Sequence, residues 1–123
     1  MSISIAKTRN DPQIFLEDIV ESIDPIRSYT RDTTYEQFSN NRLEQDAIIR
    51  RIEIIGEAVK NLPMKVRQKY PKIPWKYIAG TRDILIHEYF RVNLMLAWRV
   101  ATIEVPKLRH DILRIINEMK KEK

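Results

Sequence analysis

The segment Arg82-Asp83-Ile84-Leu85-Ile86-His87-Glu88-Tyr89 packs an arginine, a histidine and a tyrosine into eight positions. A neutral imidazole can take a proton from a ribose 2′-hydroxyl, a step typically worth about 10²–10⁴-fold in rate. A guanidinium can hold a phosphate through two hydrogen bonds and stabilise the charge that grows on its oxygens. Arg82 with His87 therefore suits phosphodiester cleavage of RNA and would spare DNA, which lacks the 2′-hydroxyl. Asp83 stands four residues before His87, within reach of one ring nitrogen on a helix, and would fix the tautomer. A plainer reading fits the same residues: Arg82 and Asp83 as surface charges, and His87 as a helix-end residue favoured by the dipole.

These residues need a helix that ends in the right place. At about 100° per residue, Arg82 and Tyr89 share one face, beside a buried stripe of Ile78, Thr81 and Leu85. His87 is about 140° round from Arg82. The two converge in one chain only if the helix ends or loosens near His87, or else across a symmetric dimer in which one patch meets its own copy.

Composition narrows the classes. The 123 residues include two glycines and no cysteine, and 32% are charged, which points to helices without disulfides or thiolate metal sites. Two histidines without an HExxH-like spacing give no metal-site pattern, and no cofactor motif is present. The apolar runs are far short of the roughly 20 residues that span a bilayer, so no membrane partner is expected. Met1 to Lys7 does not read as a signal peptide, and the expected compartment is the cytoplasm. A net charge of +5 leans mildly towards a polyanionic partner.

Along the chain, residues 1–10 read as a mobile lead and residues 120–123 as a frayed tail, with one helical domain over 1–123. Asp11-Pro12 starts a helix to near Tyr29 that Pro25 should kink. Ser28 to Thr33 reads as a turn, and Thr34 starts a short helix with Tyr35 and Phe38. Asn40-Asn41 caps the strongest helix, to about Leu62, with a stripe of Leu43, Ala47, Ile48, Ile52, Ile55, Val59 and Leu62. Gly56 in mid-helix costs about 1 kcal/mol relative to Ala and points to close approach of another backbone. Pro63 ends that helix and starts a short one. Pro71 and Pro74 bound a connector, and Trp75 begins the next helix, to about Ile86. Phe90-Arg91-Val92 reads as a linker and Asn93 as the cap of a last helix, whose stripe is Leu96, Val100, Ile103, Leu108, Ile112, Ile115 and Met119, bent at Pro106. The expected fold is all-α: an antiparallel bundle of four main helices plus short ones.

Arg82 to Tyr89 matches the Arg-x4-His-x-Tyr motif of HEPN proteins, and the chain resembles the toxin half of the HepT/MntA type VII-like toxin–antitoxin systems. The likeness includes Asp11-Pro12 with Phe15 to Ile19, Ile48 to Ala58, Asn61-Leu62-Pro63, and Tyr70-Pro71-Lys72-Ile73-Pro74-Trp75 leading into the motif. It implies a helical homodimer and a metal-independent endoribonuclease, with Arg82 and His87 of two chains lining a cleft at the interface. It further implies an RNA substrate, such as a transfer or messenger RNA. A cognate minimal nucleotidyltransferase antitoxin, MntA-like, would transfer AMP from ATP onto Tyr89. Asp83 stands where Asn is frequent in the family and Glu88 where a small residue is frequent, so Glu88 adds an anion beside the phosphate site. The alternative is a non-catalytic HEPN module that docks and regulates the nucleotidyltransferase.

Other residues carry weaker signals. His110 reads as structural or surface, and Trp75 and Trp98 as core packing ahead of base stacking. Tyr77 fits core or cleft lining. Arg50, Arg51, Lys65, Arg67, Lys69, Lys72 and Lys76 fit either an RNA-facing rim or a solvated surface. Glu57 reads as a packing or dimer-contact residue. Gly80 fits close packing at an interface or a tolerated helix glycine.

Overall fold

A computed structural model describes residues 11–85 and 93–122, apart from the side chains of Arg82 and Ile84. His87, Glu88 and Tyr89, the lead 1–10, the linker Phe90 to Val92 and the expected helix end at Ile86 lie outside the described residues. Among those described there is no strand. The helices are α1 (Pro12–Thr30), α2 (Tyr35–Ser39), α3 (Arg42–Lys60), α4 (Met64–Lys69), α5 (Trp75–Leu85), α6 (Leu94–Arg99) and α7 (Val105–Lys121). A π-helical turn, Val100–Glu104, fuses α6 to α7.

Local chemistry sets these boundaries. Asp11 accepts the Gln13 amide at 2.9 Å and Pro12 opens α1. Thr34 and Gln37 close a reciprocal capping box on α2, at 3.1 and 3.0 Å. Asn41 accepts the Glu44 amide at the start of α3, and Asn93 the Leu96 amide at the start of α6, both at 3.0 Å. Helix α1 runs through Pro25 unbroken and reaches Thr30, so Ser28 to Thr30 are helical and not a turn. One hydroxyl supports the helix end: Thr33 donates to the Tyr29 carbonyl at 2.9 Å, which the end leaves open, while Thr30 donates to the Ile26 carbonyl at 3.0 Å, inside the ladder.

The bundle is ordered α5–α3–α1–α7, with α6 and the π turn closing it between α5 and α1. Leu16, Ile19, Ile23 and Ile26 of α1 meet Ile48, Ile52, Ile55 and Val59 of α3 and Ile112 and Ile115 of α7 in one core. Each such side chain contributes about 1.5–3 kcal/mol when fully buried. At one end α2 plugs the bundle: Phe38 and Trp98 rings lie 5.1 Å apart, and Tyr35 meets Trp98 edge-on at 6.2 Å. Trp98 thus packs as expected, and so does buried Trp75, whose indole donates to the Tyr70 carbonyl at 2.9 Å. That bond shapes the connector between Pro71 and Pro74. His110 is exposed. Lys120 and Lys121, read as part of a frayed tail, lie within α7, and Lys69 Nζ meets Glu122 at 3.3 Å.

Two residues of the expected stripes face water. Leu43 is 81% exposed because it sits in the first turn of α3, before α1 and α5 cover that helix. Ile103 is 61% exposed because the π turn shifts the register. Pro106 has no N–H to continue the α ladder. The chain answers by widening: the Val105 amide donates to the Val100 carbonyl, five residues back. Val100 and Val105 then both point inward while Ile103 turns out.

Candidate active site

Helix α5 carries the first half of the candidate motif. Its inner face is Trp75, Thr81 and Leu85, all buried, with Ile78 packed against the core as the spacing predicts. The buried Thr81 hydroxyl donates to the Tyr77 carbonyl at 2.8 Å, so its polar atom is satisfied. Arg82 lies in the last described turn of the helix and Asp83 beside it is exposed.

The described end of α5 is pinned. The Asn93 amide donates to the Leu85 carbonyl at 3.3 Å, and the Asn93 carbonyl accepts the Ala97 amide at 2.9 Å. Leu85 therefore lies beside the start of α6. His87, Glu88 and Tyr89 fall between these two points in the sequence, outside the described residues, and the pairing of His87 with Arg82 lies outside them too.

The two glycines bracket this helix. A Cβ on Gly56 would lie 3.2 Å from the Ala79 carbonyl oxygen and 3.3 Å from that of Ile78. The close backbone approach expected of Gly56 is thus made by α5 itself. A Cβ on Gly80 would meet nothing within 4 Å among the described residues.

Of the basic residues that could rim a cleft, several have other work. Arg67 donates to the Lys60 carbonyl at 2.8 Å, closing the C-terminus of α3. Arg50 lies 3.8 Å from Glu53, and Lys69 pairs with Glu122. Glu57 is exposed. Lys72 and Lys76 are exposed and have no ion pair among the described residues. Tyr77 is 37% exposed. Burial, then its hydrogen bond to Glu104, raises its hydroxyl above the ordinary tyrosine range. Sequence reasoning did not find the groove that Tyr77 shares with Arg99, Glu104 and Lys107. The π turn that builds it left only Pro106 as a signal, and that proline reads equally well as a plain bend. Among the described residues no group of three or more His, Cys, Asp or Glu side chains could hold a metal ion, and no helix is long and apolar enough to cross a membrane.

The fold and the motif that begins on α5 define an all-α, HEPN-like protein. Residues 19–115 match the model of the ribonuclease HepT-like family, and the chain belongs to that family. A Methanocaldococcus jannaschii protein whose name pairs gamma-glutamylcyclotransferase with a candidate RNase is 53% identical over 94% of this chain and 52% of its own length. The chain thus spans about half of that relative. A second protein of that organism, named as a candidate RNase, is 42% identical over 93% of this chain and 98% of its own length. A Thermococcus cleftensis protein named probable ribonuclease HepT is 42% identical over 77% of this chain and 86% of its own length. No solved structure matches.

Proposed function

We propose that the chain is a metal-independent endoribonuclease that works as a homodimer and is the toxin of a toxin–antitoxin pair. The observation that carries this reading is the family match over residues 19–115, which encloses the whole segment from Arg82 to Tyr89. The relatives' names, which give RNase activity, support the same class.

His87 is the general base and Arg82 the phosphate-binding cation, with Asp83 orienting the imidazole. His87 takes the proton of a ribose 2′-hydroxyl. The 2′-oxygen then attacks the adjacent phosphorus, the bond to the 5′-oxygen breaks, that oxygen takes up a proton from water and leaves as a 5′-hydroxyl, and a 2′,3′-cyclic phosphate remains. Arg82 stabilises the charge on the equatorial oxygens. Two copies of the motif meet across the subunit interface, and Glu88 sets how strongly an incoming phosphate is repelled.

Tyr89 is the control point. Its hydroxyl oxygen attacks the α-phosphorus of ATP on a minimal nucleotidyltransferase antitoxin, pyrophosphate leaves, and AMP stays on the ring. The added bulk and negative charge then block the cleft. The reading is tested by expression in a growing host. Arg82→Ala or His87→Ala should relieve growth arrest while the protein stays folded and dimeric. Persistent toxicity of a soluble His87→Ala protein would overturn the assignment.

A further inference from the structure

The flank of α5 that meets the π turn and α7 holds a groove of about 360 Å³. Tyr77 and Ile103 face it, 37% and 61% exposed, although both are large and apolar in body. Two positive side chains, Lys72 and Lys107, stand at its edge with no acidic partner among the described residues. The acidic groups in the groove are engaged: Glu104 lies 3.8 Å from Arg99, and Asp111 lies 3.7 Å from Arg114. Net positive charge is therefore left at the rim and an aromatic face in the wall.

The π turn creates this arrangement. It turns Val100 and Val105 into the core and leaves Ile103 against the side of the groove. Turns of this kind recur where a helix serves a function. An apolar strand or helix of a protein partner would cover Tyr77 and Ile103 but leave the two lysines unmatched. A nucleotide matches both, because its base has a flat face that stacks on an aromatic ring and its phosphate seeks cations.

We propose that this groove is a substrate subsite that holds one nucleotide of single-stranded RNA, its base stacked on Tyr77 and its phosphates beside Lys72 and Lys107. The inference rests on the ribonuclease reading and names where that substrate is gripped away from the bond that is cut. Tyr77 and Arg82 are five residues apart on α5, a rise of about 7–8 Å and about 140° round its axis, so a strand that touches both must cross the helix obliquely.

The test uses the His87→Ala protein, so that binding is read without cleavage, and a labelled oligouridine of about twelve nucleotides. Tyr77→Ala should weaken binding about tenfold and Tyr77→Phe less than about twofold, since phenylalanine keeps the stacking face. Lys72→Gln with Lys107→Gln should lower the slope of log affinity against log salt by about 1.4, or about 0.7 for each phosphate that no longer meets a lysine. In the cleaving protein, Tyr77→Ala should raise KM and leave kcat nearly unchanged. Unaltered RNA affinity in folded Tyr77→Ala protein, beside firm binding by its parent, overturns the subsite and leaves the ribonuclease reading standing. A changed oligomeric state with unchanged RNA affinity also overturns it, and marks a subunit contact. If the parent binds no RNA and the unsubstituted protein cleaves none, the ribonuclease reading falls and the subsite with it.

Discussion

The chain has two glycines, both in mid-helix, and they meet opposite surroundings. Gly56 is filled: the Ile78 and Ala79 carbonyls of α5 lie 3.3 and 3.2 Å from where its Cβ would be. Gly80, on α5 itself, is empty to 4 Å among the described residues. Each glycine costs about 0.5–1 kcal/mol relative to alanine in a helix. At Gly56 the cost is offset inside the chain, because it lets α3 and α5 pack backbone to backbone and fixes the inner face of α5. At Gly80 nothing within the described chain offsets it. The inner face of α5 is thus explained by folding. On the outer face Gly80 has no such account among the described residues, and a second copy of α5 is the occupant that the proposed dimer would supply.

The largest effect should come from breaking the filled side. Gly56→Val drives side-chain atoms into the α5 carbonyls and should cost about 2–3 kcal/mol in denaturant unfolding, with loss of activity as α5 shifts. A cost near zero would mean that α5 is free to move, and that Gly56 does not set its position. Next in size is the clasp at the end of α5. Asn93→Ala removes the α6 cap, which accepts the Leu96 amide at 3.0 Å, and should cost about 1 kcal/mol. The backbone amide that meets the Leu85 carbonyl stays in this variant, but the turn that holds it loses its cap, and RNA cleavage should fall further than the folded fraction does. Parallel loss of both would show that the clasp serves stability alone.

The open side is sharpened by Gly80→Ala. In a chain that acts alone, this change should stabilise by about 0.5–1 kcal/mol, since the new methyl meets nothing among the described residues and alanine favours the helix. If α5 crosses its copy at Gly80, sedimentation should show weaker self-association in the same protein. Stabilisation with unchanged association would remove the subunit contact from this face.

The smallest effect lies far from α5, where α4 leans on α7. Burial, then a hydrogen bond with Glu118 at 3.2 Å, raises the Tyr70 hydroxyl above its ordinary value of 10.0. A pKa raised in the folded state means that its contribution is fully present below about pH 10 and fades as pH climbs through the raised value. Lys69, raised by Glu122, fades in the same direction. Thermal midpoints should therefore fall above about pH 10, and Tyr70→Phe should flatten part of that fall without touching α5. An identical alkaline fall in Tyr70→Phe would assign it elsewhere.

Sequence reading was strongest where a residue acts on its own neighbours. Asp11, Thr34, Asn41 and Asn93 cap the helices they were expected to cap, because capping is a contact over two or three residues. Gly56 announced a close approach because a helix interior otherwise disfavours it. Reading failed where a distant or compensating interaction decides. Ser28 to Thr30 stay helical although their polarity alone suggests a turn, and the Thr33 hydroxyl satisfies the Tyr29 carbonyl at that end. Ile103 keeps helical spacing yet faces water, because Pro106 forces a wider turn whose register no 3.6-residue pattern anticipates. At the site, the types and spacing of Arg82, Asp83, His87 and Tyr89 were legible. The groove at Tyr77 was not, since Tyr77 and Glu104 are brought together only by the fold.

The most direct measurement of the central claim is cleavage of a defined transfer RNA mixture in EDTA. It compares the unmodified protein with His87→Ala, after intact mass shows no adenylyl group on Tyr89. Cleavage by the first and not by the second is the predicted result. Equal cleavage by both, or none by the unmodified protein, would contradict a metal-independent ribonuclease that uses His87.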